Sequence, residues 1–157
     1  MLLTIRMKRK RILLVDDDPV FVKATSMRLA TEKFEVVTAE DGADTLKALR
    51  KGKPDLVLLD ILFPPDVPHG GVVSWDGFDI ISWLRRMGGL GNTPVILVTA
   101  SDPFEHRERA RKMGADAIFQ KGVDMGELMS LIHQFIDPVD ARQASVATND
   151  NSAQAEM

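Results

Sequence analysis

Residues 12–19 read Ile12-Leu13-Leu14-Val15-Asp16-Asp17-Asp18-Pro19, an apolar run followed at once by three carboxylates and a proline. An unbroken apolar run of this kind is typical of a strand buried on both faces of a parallel sheet. Asp18 before Pro19 indicates a helix start, because aspartate caps a first turn and proline suits the first helical position. The segment therefore predicts a buried strand that leads directly into a helix.

Three later apolar runs also end in polar side chains. They are Leu56-Val57-Leu58-Leu59 before Asp60, Val95-Ile96-Leu97-Val98 before Thr99, and Ile118-Phe119 before Gln120 and Lys121. The carboxyl ends of parallel strands open onto one edge of a sheet, where open α/β folds bind their ligands. We therefore expect three carboxylates, a hydroxyl and an ammonium group to face a single crevice.

Strands and helices alternate along the rest of the chain. After the first strand, the predicted elements are a helix from Pro19 to about Thr31, a strand from Glu35 to Thr38, a helix from Gly42 to Arg50, the strand ending at Asp60, a helix from about Asp76 to Met87, the strand ending at Thr99, a helix from Pro103 to Met113, a strand from Ala117 to Gln120 and a helix from Met125 to Ile136. This alternation indicates five strand–helix units.

With right-handed crossovers, such units form a flavodoxin-like, doubly wound α/β fold: a five-stranded parallel sheet of order 2-1-3-4-5 with helices on both faces. The first and third strands are then neighbours, so Asp16, Asp17 and Asp60 come close together. Packed carboxylates raise one another's pKa unless a cation neutralises them. A group of hard oxygen ligands suits Mg²⁺, and the sequence therefore predicts a magnesium site.

Composition and charge restrict the classes of partner. The formal net charge of −3 gives no global sign of binding to nucleic acid or to an anionic membrane. The basic run 8–11 precedes the first strand and is interpreted as a solvated edge. The charges of the predicted helix 103–113 fall at i, i+4 spacing, with Glu105 before Arg109 and Glu108 before Lys112, which favours solvated helix pairs over a binding patch.

Cysteine and histidine offer no other metal site. The chain has no cysteine, which excludes disulfides and thiolate ligands. Its three histidines, His69, His106 and His133, lack the spacing of metal ligands, and the last two are interpreted as ordinary surface or boundary residues. No apolar stretch approaches the roughly 20 residues of a membrane span, and the N-terminus does not resemble a secretory signal. We expect a cytoplasmic protein with no membrane contact.

Three segments of different character organise the chain. Residues 10–137 are expected to form one domain, preceded by an N-terminal extension at 1–9 and interrupted by a Pro- and Gly-rich inserted loop at about 64–75. Residues 138–157 are polar, with almost no large apolar side chains, and are predicted to be a disordered tail. We expect no output domain after Ile136, and hence a stand-alone domain that signals by binding another protein.

The quoted segments together resemble the receiver domain of two-component response regulators. The resemblance also includes Pro54-Asp55 before the third strand and Gly114-Ala115-Asp116 before the fifth, and it covers about Lys10 to Ile136. It implies a signalling switch, not a classical enzyme. The switch would catalyse its own phosphorylation and dephosphorylation.

The resemblance assigns a role to each residue of the predicted crevice. Asp60 matches the phosphoacceptor, a carboxylate that attacks the phosphohistidine of a sensor kinase. Asp17, Asp60 and the backbone carbonyl of Leu62 match the Mg²⁺ ligands, and Asp16 matches an acid that acts on the metal through water. The implied partners are a sensor histidine kinase or phosphotransfer protein and an unknown downstream protein, while homodimer formation remains open.

Thr99 and Lys121 match the two groups that receive the phosphoryl group. Thr99 would bond a phosphoryl oxygen, and Lys121 would pair with the phosphoryl charge, which is the usual source of catalysis in phosphoryl transfer. Two positions depart from the family. Ile118 stands where receivers carry a Tyr or Phe that swings inward, and Gly122 replaces the proline after the lysine. We expect a trans bond before Gly122 and a response that does not use an aromatic switch.

Two other functions fit part of the pattern. Asp16-Asp17-Asp18-Pro19-Val20 formally matches the Asp-x-Asp-x-Val pattern of haloacid-dehalogenase-like phosphatases, with Asp16 as nucleophile and Asp18 as general acid. That function leaves Asp60 unexplained and provides no second acidic pair after Lys121. An inactive, receiver-like interaction module is the other alternative, and the presence of every core site residue disfavours it.

Overall fold

A computed structural model of the chain describes residues 8–62 and 76–137. Its centre is a parallel sheet of order β2-β1-β3-β4-β5. The strands are β1 (Arg11–Val15), β2 (Glu35–Ala39), β3 (Leu56–Asp60), β4 (Val95–Thr99) and β5 (Ala117–Gln120). The predicted fold class and strand order are confirmed.

Five helices connect and cover the strands. They are α1 (Pro19–Thr31), α2 (Gly42–Lys51), α3 (Gly77–Arg86), α4 (Arg107–Met113) and α5 (Met125–Phe135). None of the described helices is long and apolar enough to cross a membrane. The helix predicted over Pro103–Met113 is wrong in one respect, because its first turn, Pro103–His106, is a 3-10 helix. The break falls at His106, where φ is −109° and ψ is −6°, so the α-helical geometry begins only afterwards.

Alternate residues of the central strands pack into two separate cores. Leu13 and Val15 of β1 face one core, which includes α3 residues such as Ile81, whereas Ile12 and Leu14 face the other. The second core is completed by apolar residues of α1 and α5, among them Leu29, Leu128 and Ile132. Burial on both faces explains why the strands are apolar without alternation.

One ion pair predicted within a helix is replaced by a contact between two helices. Arg109 does not pair with Glu105; its guanidinium lies 2.9 Å from an oxygen of Asp76 and 4.2 Å from the centre of the Phe78 ring. Asp76 is the N-cap of α3 and Phe78 lies in its first turn. Arg109 therefore joins α4 to the start of α3. The other predicted partner, Lys112, lies at 4.0 Å from Glu108, which has a closer contact with Arg111 at 3.0 Å.

Two glycines fit the backbone near the carboxyl ends of the strands. A Cβ atom at Gly77 would collide with the carbonyl oxygen of Asp60, so glycine allows α3 to begin directly beside the end of β3. Gly122 has φ of +86°, and no peptide bond among the described residues is cis. The bond before Gly122 is thus trans, as predicted. A proline, with φ fixed near −65°, could not adopt this turn.

Several predictions lie outside the described residues. They concern residues 1–7 of the N-terminal extension, the loop at about 64–75 with His69, and the tail at 138–157.

Candidate functional site

Three carboxylates converge where β1 and β3 end. Asp16, Asp17 and Asp60 each offer one oxygen, and these atoms lie within 4.8 Å of one another. Asp16 is 1% and Asp60 is 6% exposed, whereas Asp17 is exposed to solvent. Their convergence follows from the pairing of β1 with β3, with Val15 beside Leu59. The group has one side open to solvent and only oxygen ligands, an arrangement that could hold a metal ion.

Lys121 closes the other side of this group. Its Nζ lies 2.7 Å from Asp16 Oδ2 and 3.3 Å from Asp60 Oδ2. Burial by itself would lower the pKa of Lys121, but the contacts with the two carboxylates outweigh that effect and raise it. The ammonium group therefore carries its charge at neutral pH and is available to neutralise an anion attached to Asp60.

The carboxyl of Asp60 is held in a poorly hydrated position. Burial, followed by the charge of Asp16, raises the pKa of Asp60 to about 6. The Leu62 N–H, which donates to Asp60 Oδ1 at 3.1 Å, and Lys121 oppose that rise. At neutral pH the carboxyl is thus mainly ionised, with weakened solvation. A nearby cation would stabilise this form.

Asp16 has one oxygen without a hydrogen-bond donor. Its Oδ1 accepts from the backbone N–H of Asp18 at 2.8 Å. Its Oδ2 forms the ion pair with Lys121, but the approach does not have hydrogen-bond geometry, and this buried atom has no hydrogen-bond partner among the described residues. A buried carboxylate oxygen usually has one. Asp16 Oδ2 is therefore held by its ion pair with Lys121, at 2.7 Å from Nζ.

Asp18 is committed to helix α1, as the sequence predicts. Its Oδ1 accepts from Val20 N at 3.0 Å and from Phe21 N at 3.4 Å. The carboxylate lies outside the group formed by Asp16, Asp17 and Asp60. This placement disfavours the phosphatase alternative, which needs Asp18 as a general acid beside its nucleophile.

Thr99 ends β4 and is 3% exposed. Its backbone carbonyl accepts from Lys121 N at 2.7 Å, which ties the threonine to the lysine. Its hydroxyl, however, bonds within its own loop: Oγ1 accepts from Ser101 N at 3.1 Å and lies 3.0 Å from Ser101 Oγ. Within the described residues the hydroxyl has no bond to Asp60 or Lys121.

Three neighbours of the site were not identified from the sequence. The Phe21 ring centre lies 4.8 Å from Lys121 Nζ, so α1 supplies an aromatic face to the site cation. Ser101 and His106 extend the contacts of Thr99, with Ser101 Oγ 2.9 Å from His106 Nε2. These contacts join residues from different elements or across a turn, and no spacing pattern in the sequence indicates them.

Comparison with known proteins relates the chain to one family. Residues 12–133 match the family model described as response regulator receiver domain. Probable transcriptional regulatory protein TcrX of Mycobacterium tuberculosis is 32% identical over 144 residues, 91% of this chain and 54% of that protein. DNA-binding response regulator MtrA of Mycolicibacterium smegmatis is 32% identical over 124 residues, 79% of this chain and 49% of that protein. The chain spans about half the length of these two relatives.

Solved structures share the fold. Chemotaxis protein CheY4 of Vibrio cholerae superposes with a TM-score of 0.71 at 22% identity, over 82% of this chain and 100% of that one. The receiver domain of sensor histidine kinase PA1611 of Pseudomonas aeruginosa superposes with a TM-score of 0.65 at 23% identity, over 82% of this chain and 98% of that one. That structure has a magnesium ion coordinated in its active-site cleft. At these identities the likeness concerns the fold alone.

Proposed function

The chain belongs to the response regulator receiver domain family, and from this we propose that Asp60 is its phosphoacceptor in a two-component phosphorelay. The observation that carries the proposal is the placement of a buried, ionised Asp60 between Lys121 and two further carboxylates. A receiver is a signalling switch and not a classical enzyme. Its partners would be a sensor histidine kinase or phosphotransfer protein and an unknown downstream protein, in the cytoplasm, with homodimer formation as a further possibility.

The residues have separate roles in the proposed transfer. An oxygen of Asp60 attacks the phosphorus of a phosphohistidine, the P–N bond breaks, and the histidine nitrogen keeps the electron pair and takes a proton. The product is an acyl phosphate on Asp60. Lys121, already 3.3 Å from Asp60 Oδ2, neutralises charge on the phosphoryl oxygens. The Leu62 N–H holds the other carboxylate oxygen in place.

A divalent cation would be held on the open side of the site. We propose Mg²⁺, with Asp17, Asp60 and the backbone carbonyl of Leu62 as ligands and Asp16 acting through water. Asp17 is exposed and can bind the ion from solvent. Asp16 Oδ2 has an ion pair with Lys121 but no hydrogen bond, and it can accept from a water molecule on the ion. Such an ion supplies charge neutralisation to phosphoryl transfer.

Thr99 would complete the site as the phosphoryl group arrives. Its hydroxyl would donate to a phosphoryl oxygen, whereas in this structure it is bonded to Ser101. The hydrogen bonds of Thr99 would therefore change during transfer. Self-catalysed loss of the phosphoryl group would return the switch to its resting state.

Incubation with acetyl phosphate and Mg²⁺ tests the proposal. Wild-type protein should form one stable aspartyl phosphate, detected as a mass increase of the intact chain. Asp60→Asn should abolish this product, and Asp17→Asn should raise the Mg²⁺ concentration needed to form it. Removing Mg²⁺ with a chelator should suppress it in the wild type.

Asp18→Asn is the matched control, because asparagine also caps helices while the acidic group is lost. Phosphoryl uptake by this variant should equal that of the wild type. Steady turnover of phosphate esters that depends on Asp16 and Asp18 would instead identify a phosphatase. No modification under any condition would identify an inactive interaction module.

A further inference from the structure

A chain of hydrogen bonds leads from the buried site threonine to a histidine. Thr99 Oγ1 lies 3.0 Å from Ser101 Oγ, and Ser101 Oγ lies 2.9 Å from His106 Nε2. Thr99 Oγ1 also accepts from the backbone N–H of Ser101 at 3.1 Å. Each hydroxyl has a single proton to donate. The direction of one bond therefore sets the direction of the next.

When His106 Nε2 carries no proton, it must accept, and Ser101 donates to it. Ser101 Oγ can then only accept from Thr99, so the Thr99 proton lies between the two hydroxyls. In this arrangement Thr99 has no proton left for a phosphoryl oxygen. The Thr99 hydroxyl can then only accept a hydrogen bond at the site. A phosphoryl oxygen is itself an acceptor and cannot bond to it.

When His106 Nε2 carries a proton, the direction reverses. The imidazole donates to Ser101 Oγ, and Ser101 can donate its own proton to Thr99 Oγ1. Thr99 then accepts both of its bonds from Ser101, and its own proton is free for another acceptor. The same heavy-atom distances allow both arrangements, so the change requires a different proton position on the imidazole and rotation of the two hydroxyl protons, with no movement of heavy atoms.

We infer that His106, acting through Ser101, sets whether the Thr99 hydroxyl can donate to a phosphoryl group on Asp60. His106 is a positioning residue, since it touches neither Asp60 nor Lys121. The inference rests on the proposed function, in which Thr99 binds the phosphoryl oxygen. It assigns to this chain a hydrogen-bond relay of Thr99, Ser101 and His106.

Packing holds the imidazole of the relay in place and connects it to α3. The ring of His106 lies 5.9 Å from that of Phe78, and the Arg109 guanidinium lies over the same Phe78 ring. Arg109 also pairs with Asp76 at the N-cap of α3. A proton shift on His106 thus occurs at the contact between α3 and α4. The relay links the state of the site to a surface where another protein could detect it.

Nuclear magnetic resonance of the ¹⁵N-labelled full chain tests the relay directly. Long-range ¹H–¹⁵N spectra show which imidazole nitrogen carries the proton, and His106→Gln assigns the His106 signals. Beryllofluoride with Mg²⁺ serves as the phosphoryl mimic. Its binding should move the Nε2 signal of His106 toward the protonated position, and Ser101→Ala should remove that response. His133, whose Nε2 lies 2.6 Å from Glu32 Oε2, should not change and serves as the internal reference.

The outcomes separate the relay from the proposed function. Fluorine spectra should show bound beryllofluoride in the wild type and not in Asp60→Asn. If it does not bind, or binds equally to Asp60→Asn, the phosphoacceptor assignment is wrong. If it binds through Asp60 while the His106 signals stay unchanged, the relay is wrong and the phosphoacceptor assignment stands.

A double-mutant cycle provides a kinetic test. Ser101→Ala should speed phosphoryl uptake from acetyl phosphate by up to about five-fold, since the freed hydroxyl contributes one ordinary hydrogen bond. In a Thr99→Val background the same substitution should have no effect, because the relay acts only through the threonine hydroxyl. Ser101→Thr, which keeps a hydroxyl, should retain the wild-type rate. An equal effect of Ser101→Ala in both backgrounds would contradict the relay.

Discussion

At the scale of single residues, Asp60 combines burial with charge at a cost in stability. Burial and the neighbouring Asp16 raise its pKa from 3.8 to about 6. Between these values the folded chain binds a proton that the unfolded chain releases. The free energy of unfolding therefore decreases as pH rises from about 4 to about 6, and the loss is complete above that range.

We predict that Asp60→Asn stabilises the metal-free protein at neutral pH. The gain should be near zero at pH 4 and should grow to at most about 3 kcal/mol at pH 7, as the shift in pKa implies. Urea unfolding of both proteins at pH 4 to 7, with a chelator present, measures this difference. Adding Mg²⁺ should stabilise the wild type selectively and reduce the gap. Unfolding energies that run parallel across this pH range would contradict the cause given for the pKa of Asp60.

Residue positions at strand ends were predictable, whereas contacts between elements were not. Asp16, Asp17, Asp60 and Lys121 meet as expected because an apolar run fixes where each strand ends, and parallel strands bring those ends together. The contact of Phe21 with Lys121 depends on how α1 lies against the sheet. Sequence spacing contains no information about that packing.

At the scale of elements, α1 begins beside the site but is capped independently of it. Asp18 accepts from two backbone N–H groups of the first turn. We predict that Asp18→Ala lowers the free energy of unfolding by about 1 kcal/mol, the usual cost of a lost N-cap, whereas Asp18→Asn should cost much less. Chemical denaturation of the two variants measures this. A loss of phosphoryl uptake by Asp18→Asn, with stability retained, would place Asp18 in the chemistry instead.

Strand β5 departs from its family at Ile118. The side chain is partly buried and packs against the core that contains Leu97, while the next residue, Phe119, packs on the opposite face. We predict that Ile118→Ala costs roughly 2 kcal/mol through the cavity it leaves and leaves phosphoryl uptake intact. Ile118→Val is the matched control and should cost about half as much or less. Complete loss of uptake in a variant that remains folded would show that Ile118 takes part in the switch.

The helix over 103–113 shows the limit of sequence patterns at this scale. Its i, i+4 charges favour one continuous helix with internal pairs. The first turn is instead a 3-10 helix, with Asp102 accepting from Phe104 N at 2.9 Å, and Arg109 leaves its expected partner for Asp76 of α3. A cap and a contact between helices outweigh surface pairs that are worth only a few tenths of a kcal/mol.

At the scale of the whole molecule, the hydrogen bonds of the site indicate which segments respond to a phosphoryl group. The family's inward-swinging aromatic is replaced by Ile118, whereas the hydroxyl of Thr99 is bonded to Ser101 in the segment that leads to His106. A phosphoryl group that attracts Thr99 must disturb this segment. Leu62, whose N–H holds Asp60, connects the site to the residues after β3 in the same way. Neither connection includes Ile118.

We predict that beryllofluoride with Mg²⁺ changes hydrogen exchange most in residues 99–106 and in the residues that follow Asp60. Exchange around Ile118 and in α5 should change less, because no switch residue of β5 changes position there. Mass spectrometry of the full chain with and without the mimic measures these differences, and Asp60→Asn is the control that should show none. If the exchange changes were concentrated in β5 and α5 instead, the prediction would be wrong. The response would then pass through β5 although Ile118 is not aromatic.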